Sequence, residues 1–121
     1  MAGCSVLVVD DDPTILAAVA EILEDAGYPT VTATNGAEAL AQVERSCPQV
    51  VLLDMRMPLV NGWAFAREIQ ARCIVLRIVV MTAAQDAQAW AEEIHADGYL
   101  PKPFELGQLL REVERLCRAA A

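Results

Sequence analysis

Reactive side chains follow four short apolar runs in this chain. Two runs, Val-Leu-Val-Val and Val-Val-Leu-Leu, stop at carboxylates, a third stops at a threonine, and the fourth is followed after one proline by a lysine. Uninterrupted apolar runs of this length are typical of strands buried on both faces, as in a parallel sheet. In chain order, the residues that follow the runs are Asp10 with Asp11, Asp54, Thr82 and Lys102.

These side chains should share one edge of the sheet, because the carboxyl ends of parallel strands lie on the same side. Three carboxylates within ~4 Å of one another repel by about 4 kcal/mol per pair at an effective dielectric constant of about 20, so such a cluster is tolerable when it holds a cation. Oxygen ligands without His or Cys suit a hard ion, and few carboxylates supplemented by water favour Mg²⁺ over Ca²⁺. The sequence therefore predicts a magnesium site, with the paired Asp10 and Asp11 as metal holders.

A lysine and a hydroxyl beside this site extend its chemistry to phosphoryl transfer. The Lys102 ammonium adds a fixed positive charge, and the Thr82 hydroxyl can bond an oxyanion. Metal and lysine together neutralise phosphoryl oxygens while a carboxylate attacks phosphorus to give an acyl phosphate. Asp54 is the candidate nucleophile because it stands alone at the end of a central strand.

The elements that position these groups alternate between strands and helices. This alternation predicts an α/β fold in which one doubly wound, five-stranded parallel sheet is covered by five helices through right-handed crossovers. At 121 residues we expect a single domain, residues 1–121 with a core from about 5 to 118. The predicted strands are 6–9, 30–33, 50–53, 78–81 and 98–100, and the predicted helices are 13–26, 37–45, 62–72, 86–95 and 105–118.

The composition and net charge of the chain limit the kinds of partner and the cell compartment that we expect for it. A net charge of −8 argues against direct contact with nucleic acid, since phosphate contacts need Lys and Arg. No apolar run is long enough for a membrane span, and the N-terminus lacks the basic region of a signal peptide, so we expect a cytoplasmic protein. The four cysteines are scattered, without the close pairs that zinc or dithiol chemistry uses, and are predicted to be reduced apolar residues: Cys4, Cys47, Cys73 and Cys117.

Four motifs in order give the chain a family resemblance. Each one stands at the end of a predicted strand, and together they resemble the receiver domain of two-component response regulators, of the kind found in chemotaxis regulators. The likeness covers about residues 5 to 118. The motifs are Val8-Val9-Asp10-Asp11, then Asp54-Met55-Arg56-Met57-Pro58 with Asn61-Gly62, then Thr82-Ala83, then Tyr99-Leu100-Pro101-Lys102-Pro103-Phe104.

The resemblance implies a role for each site residue. Asp54 would be the phosphoacceptor, and Asp11, Asp54 and the backbone carbonyl of Arg56 would bind Mg²⁺, with Asp10 acting through water. Thr82 would bond a phosphoryl oxygen and Lys102 would pair with the phosphate.

The resemblance also implies a fold and a switch. It implies the flavodoxin-like strand order 2-1-3-4-5 and a cis peptide bond between Lys102 and Pro103. Tyr99 would turn inward when Thr82 moves towards the phosphoryl group, changing the surface formed by helix 4, strand 5 and helix 5. Only 20 positions separate Thr82 from Lys102, about two fewer than is usual in the family, so the loop before helix 4 or that helix itself should be shortened.

Partners follow from the same resemblance. The donor would be the phosphohistidine of a histidine kinase or a histidine phosphotransfer protein, or a small phosphodonor. The output would be a changed affinity for an unidentified protein target. We expect a self-phosphorylating and self-dephosphorylating switch rather than a turnover enzyme, without membrane contact, as a monomer or weak homodimer.

Two other functions compete with this one. A Mg²⁺-dependent phosphatase with an Asp nucleophile would want a second Asp two positions later, where this chain has Arg56, and would also need a cap over its substrate. A receiver-like binding module that is never phosphorylated would not need the complete set of acids, hydroxyl and lysine. A dinucleotide-binding fold is excluded, because no Gly-rich loop follows the first strand.

For three residues near the site, the sequence supports two alternative interpretations. Arg56 either steers phosphodonors or kinases, or is an ordinary solvated arginine. Trp63 either walls the pocket or is a surface aromatic, and Trp90 is either an exposed contact or the anchor of helix 4.

Overall fold

Five parallel strands and five helices alternate along the chain in the computed structural model. It describes residues 4–57, 59–72 and 74–120; Pro58 of the motif that begins at Asp54, and Cys73, which was predicted to be reduced, lie outside the described residues. The strands are β1 (Val6–Val9), β2 (Thr30–Ala33), β3 (Val50–Asp54), β4 (Arg77–Ala83) and β5 (Gly98–Lys102). The helices are α1 (Pro13–Asp25), α2 (Gly36–Arg45), α3 (Gly62–Ala71), α4 (Ala84–Glu93) and α5 (Leu106–Ala120).

The strand order β2-β1-β3-β4-β5 confirms the expected doubly wound sheet. Every neighbouring pair is parallel, and β1 and β3 run side by side at the centre, with Val9 opposite Leu53. The acids that follow these two strands are therefore neighbours at the same edge. The Lys102–Pro103 peptide bond is cis, as the family resemblance implied.

Alternate residues of the central strands pack into two cores, one on each face of the sheet. On one face, residues such as Val8 and Leu52 pack against α1 and α5, which contribute Leu23 and Leu109 among others. On the other face, the intervening strand residues pack against α2, α3 and α4, with Phe65 wholly buried. Burial of each large side chain of this kind contributes roughly 1.5–3 kcal/mol, so both helix layers are held firmly on the sheet.

Side-chain caps begin the first three helices. Asp12 accepts hydrogen bonds from the backbone N–H groups of Thr14 and Ile15, and Pro13 occupies the first position of α1, where no donor is needed. Asn35 and Asn61 cap α2 and α3 in the same way. These caps fix the point at which the chain turns away from the edge of the sheet.

The predicted start of α4 was wrong by two residues. The helix begins at Ala84, directly after β4 ends at Ala83, so no loop separates the two elements. The cause is that Ala83 lacks a side-chain oxygen, so this boundary carries no sequence signal for a cap. The absence of a loop agrees with the short spacing between Thr82 and Lys102.

The prediction that all four cysteines are reduced was wrong for two of them. Cys4 and Cys117 form a disulfide, with their Cα atoms 5.9 Å apart, whereas Cys47 is free. Their separation of 113 residues along the chain hid the pairing, because the fold brings Cys4, two residues before β1, to Cys117 near the end of α5.

Among the described residues, we find no helix with the length and apolar character to cross a membrane.

Candidate functional site

The register of the sheet collects the reactive groups at its carboxyl edge. Asp10 and Asp54 follow the paired residues Val9 and Leu53 on adjacent strands. On the other side of β3, Asp54 is opposite Met81, so Thr82 is one position further along β4. Lys102 ends β5 opposite Ala83, the residue after Thr82.

Three carboxylates form the centre of this site. Asp10, Asp11 and Asp54 can each present an oxygen such that all three oxygens lie within 4.8 Å of one another. Asp10 is 1% exposed and Asp54 is 6% exposed, whereas Asp11 faces solvent. The cluster therefore has two buried acids and one acid in contact with solvent, from which side an ion or a phosphodonor can approach.

Lys102 supplies the positive charge predicted for this edge. Its ammonium donates to Asp10 Oδ2 over 2.9 Å and lies 3.9 Å from Asp54 Oδ1. One ammonium beside three carboxylates leaves a formal excess of two negative charges, which a divalent cation would neutralise. Asp10 Oδ1 also accepts a hydrogen bond from the Asp12 backbone N–H, which orients the buried carboxylate.

The electrostatics of the pocket raise the pKa of Asp54 from 3.8 to about 6. Burial is the largest cause, because it disfavours the charged carboxylate, and the nearby carboxylates of Asp10 and Asp11 add to the rise. Lys102 and the Arg56 backbone N–H act in the opposite direction and lower the pKa. A bound cation would act in the same direction as Lys102 and favour the ionised nucleophile.

The loop after Asp54 is held by backbone contacts. The Arg56 N–H lies 3.4 Å from Asp54 Oδ1, a long hydrogen bond, and the Gly62 N–H donates to the Met55 carbonyl over 3.1 Å. A Cβ at position 62 would lie 2.8 Å from Met55 Cα, so glycine is needed for this close approach of α3. Asn61 then caps α3 by accepting from the Ala64 N–H.

The donor set fits the magnesium ion predicted for this site. The three acids offer oxygen ligands only. Burial, together with the repulsion from Asp10 and Asp11, raises the pKa of Asp54, and a hard divalent cation would relieve both effects. Participation of the Arg56 carbonyl, and of Asp10 through water, stays a prediction.

The two switch residues differ in exposure. Thr82 is 5% exposed and ends the buried part of β4, one position beyond Met81, the residue opposite Asp54. Tyr99 is 40% exposed and is opposite Val80, further from the edge. The two residues therefore lie on adjacent strands, and Tyr99 is two positions before Pro101, the residue opposite Thr82.

The sequence alone did not decide what surrounds the two tryptophans. Trp63 and Trp90 are partly buried and pack against each other with ring centroids 4.8 Å apart, so Trp90 anchors α4 towards α3. Arg56 is exposed, as in the interpretation of a solvated arginine, and its guanidinium carbon also lies 4.9 Å from the centroid of the Trp90 ring. Glu93, which accepts a hydrogen bond from Trp63, was missed. No spacing rule connects these residues, since they come from two helices and a loop.

Comparison with known proteins identifies the class of domain that has this fold and site. A family model described as the response regulator receiver domain matches residues 6–114. The chain therefore belongs to the receiver-domain family of two-component response regulators, as the four motifs implied.

Curated relatives are longer proteins. The chain is 39% identical over 112 residues to the DNA-binding transcriptional regulator NtrC of Escherichia coli K12, covering 91% of this chain and 24% of NtrC. It is 36% identical over 115 residues to the transcriptional regulatory protein PrrA of Mycobacterium tuberculosis, covering 93% of this chain and 49% of PrrA. The chain thus spans about a quarter to a half of the length of these relatives.

A solved structure of similar size has the same fold. The receiver domain of NtrX from Brucella abortus superposes with a TM-score of 0.87 at 30% sequence identity, covering 94% of this chain and 98% of that one. Because the similarity covers 94% of this chain, the fold prediction is confirmed.

Proposed function

We propose that Asp54 accepts a phosphoryl group and that the resulting acyl phosphate switches the surface formed by α4, β5 and α5. The observation that carries this proposal is the position of the Asp54 carboxylate, which is buried at the end of a central strand, 3.9 Å from an ammonium and beside two further acids. A structural aspartate would not need three such neighbours.

The chemical step is a displacement at phosphorus. A carboxylate oxygen of Asp54 forms a bond to phosphorus, and the bond from phosphorus to the donor breaks, so that a phosphohistidine donor leaves as neutral imidazole after taking up a proton. Lys102 can exchange Asp10 for a phosphoryl oxygen, since its ammonium already lies between the two acids. The Thr82 hydroxyl would donate to a second oxygen. Mg²⁺ held by Asp10, Asp11, Asp54 and the Arg56 carbonyl would neutralise charge on the transferred group.

The direct junction of β4 and α4 supports the transmission of this event. Thr82 is two residues before Ala84, the first residue of α4, and no loop absorbs a shift of its backbone. A phosphoryl group that draws Thr82 inward would therefore move the start of α4 and free space for Tyr99 to turn. A population shift of this kind needs several kcal/mol of differential stabilisation, which charge-assisted hydrogen bonds to lysine and hydroxyl can contribute.

The proposed partners follow from this role. A histidine kinase or a histidine phosphotransfer protein would supply the phosphoryl group, and an unidentified protein would read the switched surface. We propose a cytoplasmic setting and a monomer or weak homodimer. The relative NtrC is named a DNA-binding regulator, but the net charge of −8 makes this domain a poor ligand for nucleic acid.

The test is phosphorylation of the purified protein by acetyl phosphate with and without Mg²⁺, followed by intact mass and by cleavage of acyl phosphate with hydroxylamine. We expect one hydroxylamine-sensitive phosphoryl group per chain, dependent on Mg²⁺, and none in Asp54→Asn. Asp25→Asn, at the exposed end of α1, is the matched control and should behave as wild type.

Two outcomes would contradict the proposal. Uptake by Asp54→Asn at the wild-type level would show that the nucleophile is another residue. Sustained release of many phosphates per chain from a phosphate ester would instead favour a phosphatase with an aspartate nucleophile.

A further inference from the structure

An aromatic cluster lies beside the acid cluster and connects α3 with α4. Trp63, in the first turn of α3, and Trp90, in α4, pack edge to face, with an interplanar angle of 66°. The indole N–H of Trp63 donates to Glu93 Oε2 over 2.7 Å, which ties the same tryptophan to the end of α4. Trp63 therefore contacts α4 at two residues, Trp90 and Glu93.

The Trp90 ring also contacts the Arg56 side chain. The guanidinium carbon of Arg56 lies 4.9 Å from the ring centroid, within the range in which a cation is attracted to the face of an indole. The backbone N–H of the same residue faces Asp54 Oδ1. One residue thus joins the loop of the candidate magnesium site to α4.

Arg56 carries a permanent charge of the sign that the acid cluster attracts. A guanidinium forms forked hydrogen bonds with carboxylates, and the cluster retains a formal excess of two negative charges after Lys102 is counted. Because its backbone already contacts Asp54, Arg56 is near enough to fold back over these acids once its side chain is free. In that position the guanidinium would compete with a metal ion.

We propose that Trp90 is a positioning residue for the magnesium site: its ring holds the Arg56 guanidinium beside α4, so that Asp10, Asp11 and Asp54 stay open for the ion. The proposal rests on the proposed function, because it takes the acids to be the metal ligands. It assigns the Arg56–Trp90 pair a task that neither helix packing nor the phosphoryl-transfer step requires.

The test is a double-mutant cycle on Mg²⁺ binding, measured by calorimetry at low ionic strength and pH 8. Trp90→Ala should weaken binding about three- to fivefold, the effect of one exposed ion pair in competition with the metal. In an Arg56→Ala background, the same Trp90 substitution should leave the dissociation constant unchanged within about twofold, since no guanidinium remains to compete. Added salt should diminish the effect of Trp90→Ala by screening the released charge.

The double-mutant cycle distinguishes an effect of Trp90 on the position of Arg56 from an effect of Trp90 on the packing of α4. If Trp90→Ala weakens binding equally with and without Arg56, the tryptophan acts only through the packing of α4 and the proposal fails. If Trp90→Ala binds Mg²⁺ as wild type does, the proposal also fails while the proposed function stands. If wild type itself does not bind Mg²⁺, the proposed function fails at its metal site.

The contact itself can be tested without metal. Trp63→Phe leaves Trp90 as the remaining tryptophan, since the chain has two. In that background, Arg56→Ala should uncover the ring and increase quenching of its fluorescence by acrylamide. Unchanged quenching would show that the guanidinium does not cover Trp90 in solution and would overturn the proposal.

Discussion

At the scale of the single residue, the fold gives Asp54 an unusual acidity. Its pKa is about 6 in the folded protein against a usual value of 3.8, and burial is the main reason. A proton is therefore bound more tightly in the folded state than in the unfolded chain. Through this linkage, the free energy of unfolding depends on pH.

The sign of that dependence can be worked out. Below the unfolded pKa of 3.8 the carboxyl is protonated in both states, and its stabilising contribution is fully present. This contribution is lost as pH rises through the folded pKa of about 6. Between about pH 5 and 7.5, metal-free wild type should lose about 1.4 kcal/mol of unfolding free energy more than Asp54→Asn does. Urea unfolding in EDTA across this range measures the difference, and parallel curves would contradict the assignment of the raised pKa.

The three acids also make a prediction about metal. If they bind Mg²⁺ in the folded state alone, stability should rise with the ion, by about 2.7 kcal/mol at a concentration 100 times the dissociation constant. Asp11→Asn should lose most of that gain, because it removes the exposed ligand of the cluster. Thermal unfolding over a magnesium titration measures the gain, with Asp25→Asn as the control that should keep it. An equal gain in Asp11→Asn would exclude this carboxylate as a ligand.

The sequence was sufficient to predict the members of the acid cluster but not its side-chain arrangement. Asp10, Asp54 and Lys102 could be brought together by reasoning, because each follows an apolar run and parallel strands end on one side. The bond from Lys102 to Asp10 could not be predicted, since it depends on side-chain directions at the edge. The same is true of Arg56, whose ring partner is 34 residues away along the chain.

At the scale of the element, α2 and α3 begin with the same kind of asparagine cap but lie at different distances along the chain from the loop after Asp54. Asn35 accepts from the Glu38 N–H and Asn61 from the Ala64 N–H, each over 2.9 Å. Replacing either by alanine should cost about 1 kcal/mol of unfolding free energy. The loop that carries Arg56 leads directly into α3, whereas α2 contacts it through the hydrogen bond from the Gly36 N–H to the Val60 carbonyl, which Asn35→Ala leaves in place.

The two cap variants therefore give a matched pair. Asn61→Ala should weaken Mg²⁺ binding and slow phosphorylation by acetyl phosphate several-fold, because the loop after Asp54 loses its fixed end. Asn35→Ala should lose similar stability while keeping both activities near the wild-type level. Chemical denaturation and calorimetry on the two proteins provide the comparison. Equal losses of activity would mean that general stability, not the loop, controls the site.

Elements with caps and periodic apolar residues were predicted well, and the junction of β4 with α4 was not. Asp12, Asn35 and Asn61 are signals that can be read from the sequence, because a side-chain oxygen at a helix start satisfies free N–H groups. The Ala-rich start of α4 offers none, and its position depends on packing of Ala87 and Ala91 against the sheet. Tertiary contacts decide such a boundary.

At the scale of the whole molecule, the alternation of strands and helices was enough to predict the layers, whereas the strand order came from the family resemblance. The covalent connection between the start of the sheet and the end of α5 was missed. Cys4 and Cys117 are both almost fully buried in the core between α1, α5 and the sheet. Apolar thiols in a core are ordinary, so only their proximity in three dimensions distinguishes them.

The disulfide between these two residues predicts a dependence of stability on reductant. It closes a loop with a sequence separation of 113 residues, and chain-entropy estimates for a loop of about 100 residues give roughly 4.7 kcal/mol, with measured values of about 2–5 kcal/mol. Dithiothreitol should therefore lower the free energy of unfolding of the oxidised wild type by that range. Cys47→Ser should respond as wild type does, because Cys47 is free, while Cys117→Ala should not respond. Urea unfolding with and without reductant, with thiols counted under denaturing conditions, measures the effect. A wild type that is indifferent to reductant, or a Cys117→Ala variant that responds equally, would show that this bond does not stabilise the fold. Since α5 also belongs to the proposed output surface, the same pair of measurements, repeated on the phosphorylated protein, will show whether the bond restrains the switch or leaves it free.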